Sequence, residues 1–275
     1  MPDWSAFAGV TGVVLTLLLV LARLSQDLGG RPAGDRADAA LGPDATGVEP
    51  RRPDPVPLDP ETAGEGGADV PEPWERALGD EGREAEFGPG ALLANVAVSQ
   101  GGLGALLVFG AWYAAVPASA LGLDAAAFGP VVLLAGVAAG VGLYLANEGG
   151  TALGRQVGLD GAEAFRAMLA PETRRGWALL LLVALPVVAG FEELLFRAAL
   201  VGGLAAGFGV SPWLLAGLSS VAFALGHGAQ GRVGMVVTGL LGFALAALFV
   251  VTESLPAVVV AHYLVNALEF VVNER

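Results

Sequence analysis

The stretch GWALLLLVALPVVAGFEELLFRAALVGGLAA, residues 176–206, decides the fold class, because it is almost wholly apolar and carries only three charged residues. A helix rises about 1.5 Å per residue and the hydrocarbon core of a bilayer is about 30 Å thick, so about 20 apolar residues can cross it. At that rise the stretch would be about 45 Å long. We therefore expect a membrane span that tilts, kinks or breaks, with a bend near Pro186 and Gly190.

Six further apolar stretches have about the length of a membrane span. They lie near residues 4–22, 91–117, 125–147, 212–229, 232–251 and 255–272. The chain is 55% hydrophobic and 15% charged, whereas a soluble domain carries about 25% charged residues. The sequence therefore predicts an all-α fold, a polytopic transmembrane helical bundle of seven or eight spans. Glycine and alanine recur through the spans, which favours close helix packing in lipid.

The charge is concentrated in one segment, residues 24–90. It holds 16 of the 27 acidic residues and 6 of the 14 basic ones, and only ten of its residues are large and apolar. Such a segment buries too little apolar surface to offset the entropy of ordering it. We expect an acidic disordered linker after the first span.

The composition excludes several kinds of chemistry. The chain has no cysteine, so it has no disulfide, thiolate metal site or cysteine nucleophile. It also has no lysine, which excludes a Schiff-base lysine and a phosphate-binding P-loop lysine. The net charge of −13 argues against a nucleic-acid partner.

The arginines predict the orientation in the cell membrane. With seven spans, every arginine outside the apolar stretches falls on one side, together with the acidic linker. Cytoplasmic loops carry the excess of basic residues in membrane proteins. We therefore expect a multi-pass protein with its N-terminus outside and its linker and C-terminus in the cytosol.

Ionisable groups inside a span are costly and are functional candidates by default. In the sequence Glu192-Glu193-Leu-Leu-Phe-Arg197, Glu193 and Arg197 are four residues apart and share a helix face, so they can form an ion pair. Glu192 lies about 100° round the helix and lacks that partner. A free carboxylate in an apolar site is suited to act as a general base. A charge cluster at a helix end is the alternative interpretation.

Two further polar clusters lie in later spans. Phe223 precedes His227 by four residues, and His262 precedes Asn266 by four, so that each pair shares a helix face. Alone, His227 could be an interfacial residue, and His262 with Asn266 could be polar contacts between helices. Together with Glu192 they supply a carboxylate, two imidazoles and an amide from three spans. That set can activate water and stabilise an oxyanion.

The ordered trio Glu-Glu-x-x-x-Arg, Phe-x-x-x-His and His-x-x-x-Asn resembles the CAAX-processing and bacteriocin-processing (CPBP) intramembrane proteases. This family includes the type II CAAX prenyl endopeptidases and the Abi-type proteins. The resemblance covers about residues 176–272, and it implies a polytopic helical protease. It implies that Glu192 activates the attacking water with the assistance of His227. His262 and Asn266 would hold the oxyanion.

The resemblance further implies that Glu193, Arg197 and Phe223 support the site. It leaves the cofactor open, because the family has been described both as metalloproteases and as using a glutamate-activated water. We expect either no cofactor or one divalent metal such as zinc, held by Glu192, His227 and His262 with an open position for water.

The predicted organisation has four parts. Residues 1–23 form an N-terminal transmembrane anchor, 24–90 the linker, 91–175 accessory spans with a polar connection, and 176–272 the catalytic core. The expected partners are membrane lipid and a membrane-associated protein or peptide substrate. Two alternatives are a non-proteolytic scaffold or bacteriocin-immunity-type protein, and a proton or metal carrier. The carrier is the least favoured, because the spans before residue 176 offer few polar residues.

Overall fold

The computed structural model describes residues 1–29, 89–156 and 170–274, and these residues form helices and no strand. Two 3₁₀ turns, Ala118–Leu121 and Ala126–Phe128, lie between the second and third long helices. The long helices are α1 (Trp4–Gly29), α2 (Pro89–Tyr113), α3 (Pro130–Gln156), α4 (Arg174–Phe208), α5 (Pro212–Gly226), α6 (Gly231–Thr252) and α7 (Leu255–Asn273). The predicted polytopic helical bundle is therefore confirmed.

Six of these helices are long and apolar enough to cross a membrane, and α5 is the exception. The sequence predicted a span near 212–229, but α5 has 15 residues and is about 22 Å long at 1.5 Å per residue. It ends at Gly226 because the chain turns at His227 into a short 3₁₀ helix, Gly228–Gln230.

The predicted linker, 24–90, lies outside the described residues except at its two ends. There the structure differs from the prediction. Helix α1 continues through Gly29, and α2 begins at Pro89.

Contacts at the helix ends define two ends of the bundle. At the first end, the backbone N–H of Asp3 donates to the carbonyl of Ala114, and that of Leu255 donates to Gly122. At the second end, Asn147 donates to Glu269, and Asn273 donates to Glu148 at 2.9 Å. Because α3 and α7 run in the same direction, their polar residues meet at this second end.

Helix α4 stays helical over its whole length and does not break at Pro186 or Gly190. Its irregularity takes another form, two π-helical stretches at Leu180–Ala184 and Leu194–Gly203. Pro186 lacks the N–H that a regular helix would use in its hydrogen-bond ladder. The first π stretch ends two residues before this proline. The α-helical stretch between them, Leu185–Glu193, ends on the paired glutamates.

Side chains from neighbouring helices bond to carbonyls in these π stretches. The hydroxyl of Tyr263 on α7 donates to the Leu181 carbonyl at 3.2 Å, and that of Ser219 on α5 donates to the Phe196 carbonyl at 2.5 Å. Backbone groups freed from a regular helix must find such partners inside a membrane protein. Irregular turns of α4 are thereby joined to α5 and α7.

Small residues bring α3 directly against α7, as the sequence predicted for close packing. A methyl group on Gly136 would lie 2.9 Å from the Cα atom of Ala257, and one on Gly140 would lie 3.0 Å from that of Ala261. Both contacts are to backbone, which has little room to yield. This seam fixes α7, and therefore His262 one residue beyond Ala261.

We expect Gly136→Ala to lower the melting temperature in detergent, since overpacking a well-packed contact costs about 1–3 kcal/mol. Gly142→Ala is the matched control on the same helix, because a methyl group there meets no heavy atom within 4 Å. Equal melting temperatures for the two variants would show that the seam does not constrain α3.

Helix α1 packs into the bundle along its first half. Phe7 and Val14 are buried, and methyl groups on Gly203 and Gly207 of α4 would collide with Phe7 and Trp4 respectively. The predicted N-terminal anchor is thus part of the same core as α4.

Candidate active site

The paired glutamates and Arg197 lie in the middle of α4, at the junction of its α-helical and second π-helical stretches. Glu193 and Arg197 are fully buried, and Glu192 is 6% exposed. Arg197 Nη1 donates to Glu193 Oε1 at 2.9 Å. The structure thus contains the ion pair that the four-residue spacing predicted.

Arg197 is held from three sides. Besides the bond to Glu193, its Nη2 donates to the Gly242 carbonyl on α6 at 2.9 Å. Its guanidinium carbon lies 4.7 Å from the centre of the Phe223 ring on α5, a distance at which a cation is attracted to the face of an aromatic ring. One buried cation therefore links α4, α5 and α6.

His262 of α7 lies between the two glutamates. Its Nδ1 is 2.7 Å from Glu193 Oε1, and its Nε2 is 3.7 Å from Glu192 Oε2. Because Glu193 Oε1 also accepts from Arg197, it acts as an acceptor, and the hydrogen of the first bond is assigned to Nδ1. The second distance is too long for a direct hydrogen bond.

The contact between His262 and Glu193 was missed by sequence reasoning, which paired Glu193 with Arg197 alone. A carboxylate that accepts from one ring nitrogen fixes the tautomer and orientation of the ring. In this position, it directs Nε2 of His262 toward Glu192. Glu192 itself makes no hydrogen bond to the residues that the structure describes, but it is not isolated, because His262 Nε2 lies 3.7 Å from its Oε2.

Phe223 connects the second histidine to this group. His227 Nδ1 donates to the Phe223 carbonyl at 2.9 Å, so in the neutral tautomer Nε2 is the acceptor. The Phe223 ring centre lies 4.6 Å from that of His227 and 6.1 Å from that of His262. The aromatic ring therefore lies beside both imidazoles, and His227 makes no polar contact with the glutamates among the described residues.

Asn266 follows His262 by about one turn of α7 and is partly buried. Its amide forms no hydrogen bond with any part of the chain that the structure describes. Buried glutamates, arginine and His262 thus form one contiguous cluster, while His227 and Asn266 lie at its partly exposed edge.

The residues expected to hold a metal do not form a compact ligand set. Among the described residues, no three His, Asp or Glu side chains are grouped so that they could hold a metal ion. The proposed trio Glu192, His227 and His262 therefore does not fit a three-ligand site.

Gly242 is a further residue at this site that the motifs did not reveal. Its signal in the sequence is weak, since it is one of 41 glycines. Its carbonyl binds Arg197, and the absence of a side chain leaves room for the Phe223 ring.

The protein is a helical bundle with a buried Glu-Glu-Arg-His cluster in its membrane-spanning region. It therefore belongs to the class of multi-pass membrane proteins with an internal polar site. Residues 174–268 match the family model described as type II CAAX prenyl endopeptidase Rce1-like. The match confirms the resemblance of this segment to that family. The family is one of membrane proteases. Searches of curated proteins and of solved structures found no match.

Proposed function

We propose that this protein is an intramembrane endopeptidase that hydrolyses a peptide bond of a membrane-associated protein or peptide. The observation that carries the proposal is the position of His262, with Glu193 bonded to one ring nitrogen and Glu192 facing the other at 3.7 Å. The two atoms are too far apart to bond directly, and a water molecule lying to one side of both, at about 2.8 Å from each, can hydrogen-bond to both groups. The family match over residues 174–268 supports the same reaction.

In the proposed reaction, Glu192 takes a proton from the water as its oxygen attacks the substrate carbonyl carbon. His227 assists through Nε2, which can accept a hydrogen bond. The proton then passes from Glu192 to the leaving nitrogen as the C–N bond breaks. The same carboxyl group thus acts first as the general base and then as the general acid.

The oxyanion is held, in this proposal, by His262 and Asn266. In this proposal His262 enters the reaction as an imidazolium that took its second proton from solvent and keeps it throughout. With two glutamates beside it the buried charge is compensated, and Nε2 donates to the oxyanion. The Asn266 amide, which makes no other bond among the described residues, supplies the second donor. Glu193, Arg197 and Phe223 keep these groups in place.

The site would face a cytosolic opening. We infer a seven-pass arrangement with the N-terminus outside, in which α5 is a short span. Helix α5 lies alongside α1 over most of its length. Trp4 of α1 lies beside Gly207, just before α5 begins, and Leu19 of α1 lies beside Gly226, where α5 ends. Both helices would then cover the same part of the bilayer. The exposed Arg23, Arg174, Arg175 and Arg232 would all lie on the cytosolic side.

The proposal is tested by cleavage of membrane-anchored peptides in liposomes that contain the purified protein. We expect mass spectrometry to find defined products from a library of such peptides. Folded protein that cleaves none of them would favour the alternative of a non-proteolytic scaffold or immunity-type protein. The full burial of Glu193 and Arg197 is the observation that suits this alternative. The scaffold alternative predicts that Glu192→Ala mainly lowers the melting temperature of the protein.

Removal of divalent metals should leave the peptidase activity unchanged, because the described residues form no three-ligand group. The measurement is kcat after dialysis against a chelator and after addition of Zn²⁺. An activity that is lost with the metal and restored by Zn²⁺ would show that the ligand set assembles only when the metal is bound.

A further inference from the structure

We propose that Gly242, in the middle of α6, is a positioning residue that sets the geometry of the candidate active site through Arg197 and Phe223. Gly242 lies outside the three motifs, and its neighbours at the site are Arg197 and Phe223 rather than Glu192 or His262. The inference rests on the proposed function, because the group that Gly242 ultimately positions is the His262 ring.

The first part of the argument is the carbonyl of Gly242. It accepts from Arg197 Nη2 at 2.9 Å, and Arg197 Nη1 donates to Glu193 Oε1 at the same distance. Arg197 Nε is buried and has no hydrogen-bond partner among the described residues. The two Nη atoms therefore carry the hydrogen bonds that hold the guanidinium, and Gly242 supplies one of the two acceptors.

The second part is the space that glycine leaves beside the carbonyl. A methyl group on Gly242 would lie 2.9 Å from Cδ1 of Phe223 and 3.5 Å from Arg197 Nη2. The first distance is shorter than carbon atoms tolerate, so the ring would have to move. That ring is packed on the Arg197 guanidinium and against His227, and its displacement would disturb both.

The third part is the relay that connects Gly242 to the reacting groups. The Gly242 carbonyl binds Arg197, Arg197 binds Glu193, and Glu193 binds Nδ1 of His262 at 2.7 Å. Each link is a buried, charge-assisted hydrogen bond, the strong kind. A shift of Gly242 would therefore change the direction in which Nε2 of His262 points, although the two residues lie on different helices.

The test compares Gly242→Ala with Gly217→Ala in the full-length protein. A methyl group on Gly217 of α5 meets no heavy atom within 4 Å, so this control adds the same group in open space. We expect Gly242→Ala to lower kcat about 10²-fold, the loss produced by a misplacement of about 1 Å, without a change in KM. Gly217→Ala should keep the wild-type kcat.

A second measurement does not depend on peptidase activity. The chain has two histidines, so a His227→Gln background leaves the ring of His262 as the sole histidine signal in a nitrogen-labelled sample. In this background we expect a downfield signal from the Nδ1 hydrogen bonded to Glu193. Adding Gly242→Ala should shift or broaden it, and adding Gly217→Ala should not. If the proposed function fails, this result still decides the role of Gly242.

If Gly242→Ala does not fold, Phe223→Val removes the ring atom that the methyl group would strike. Phe223→Val with and without Gly242→Ala should then have the same melting temperature and the same His262 signal, because effects that act through one contact are not additive. A further loss on adding the methyl group would overturn the proposal. Wild-type kcat and an unchanged His262 signal in folded Gly242→Ala would overturn it as well.

Discussion

Glu192→Gln will lower kcat for cleavage of an anchored peptide by about 10²- to 10⁴-fold, the contribution usual for a general base. The amide has the size of the carboxyl group but cannot take a proton from water. The fold should be retained, because Glu192 makes no hydrogen bond to the described residues and its nearest polar contact is His262 Nε2 at 3.7 Å. The melting temperature in detergent should therefore stay close to the wild-type value.

Glu253→Gln is the control for this change. Glu253 is exposed at the end of α6, at the opposite end of that helix from His227, and its substitution removes the same charge away from the site. It should leave kcat unchanged. Glu192→Gln with wild-type turnover would refute the assignment of Glu192 as the base, and a large loss of melting temperature would favour the scaffold alternative.

Arg197→Met will destabilise the protein by about 3–5 kcal/mol, the cost of breaking a buried ion pair by removing one partner. Arg197 and Glu193 are both fully buried, so the remaining carboxylate has no solvent to replace the guanidinium. The melting temperature in detergent measures the effect. Removal of the cation also leaves the Gly242 carbonyl without the side chain that donates to it. The face of the Phe223 ring loses its cationic neighbour as well.

The companion variant Arg197→Met with Glu193→Gln separates charge from packing. The amide oxygen of Gln can still accept from Nδ1 of His262, but no unpaired charge remains. We expect this double variant to recover most of the lost melting temperature. If Arg197→Met alone melts like the wild type, the ion pair does not hold the bundle together.

The sequence predicted those parts of the site that depend on spacing along one helix. Glu193 and Arg197 were paired from their separation of four residues, and Glu192 was left outside that pair for the same reason. Asn266 was placed one turn from His262, on the same helix. These predictions needed only the separation of the residues along the chain, and the ion pair forms although α4 changes from α to π geometry at Leu194.

The individual contacts between helices could not be predicted from the sequence. The bond between His262 and Glu193 joins residues 69 positions apart, and it depends on the seam that Gly136 and Gly140 form with α7. Gly136 and Gly140 have the Gly-x-x-x-Gly spacing typical of close helix packing in membranes, but that spacing does not tell which helix they meet. No pattern distinguishes Gly242 from the many other glycines. The π stretches of α4 were also missed, because Pro186 indicates an irregular helix but not the form that the irregularity takes.

The most direct test of the account is the position of water in a high-resolution experimental map of the protein in lipid. We predict an ordered water within about 3.2 Å of both a Glu192 oxygen and His262 Nε2, which is hydrogen-bonding distance, while Glu193 remains bonded to Nδ1. A map in which Glu192 faces the acyl chains, with no water between it and either histidine, would contradict the proposal that this cluster hydrolyses peptide bonds.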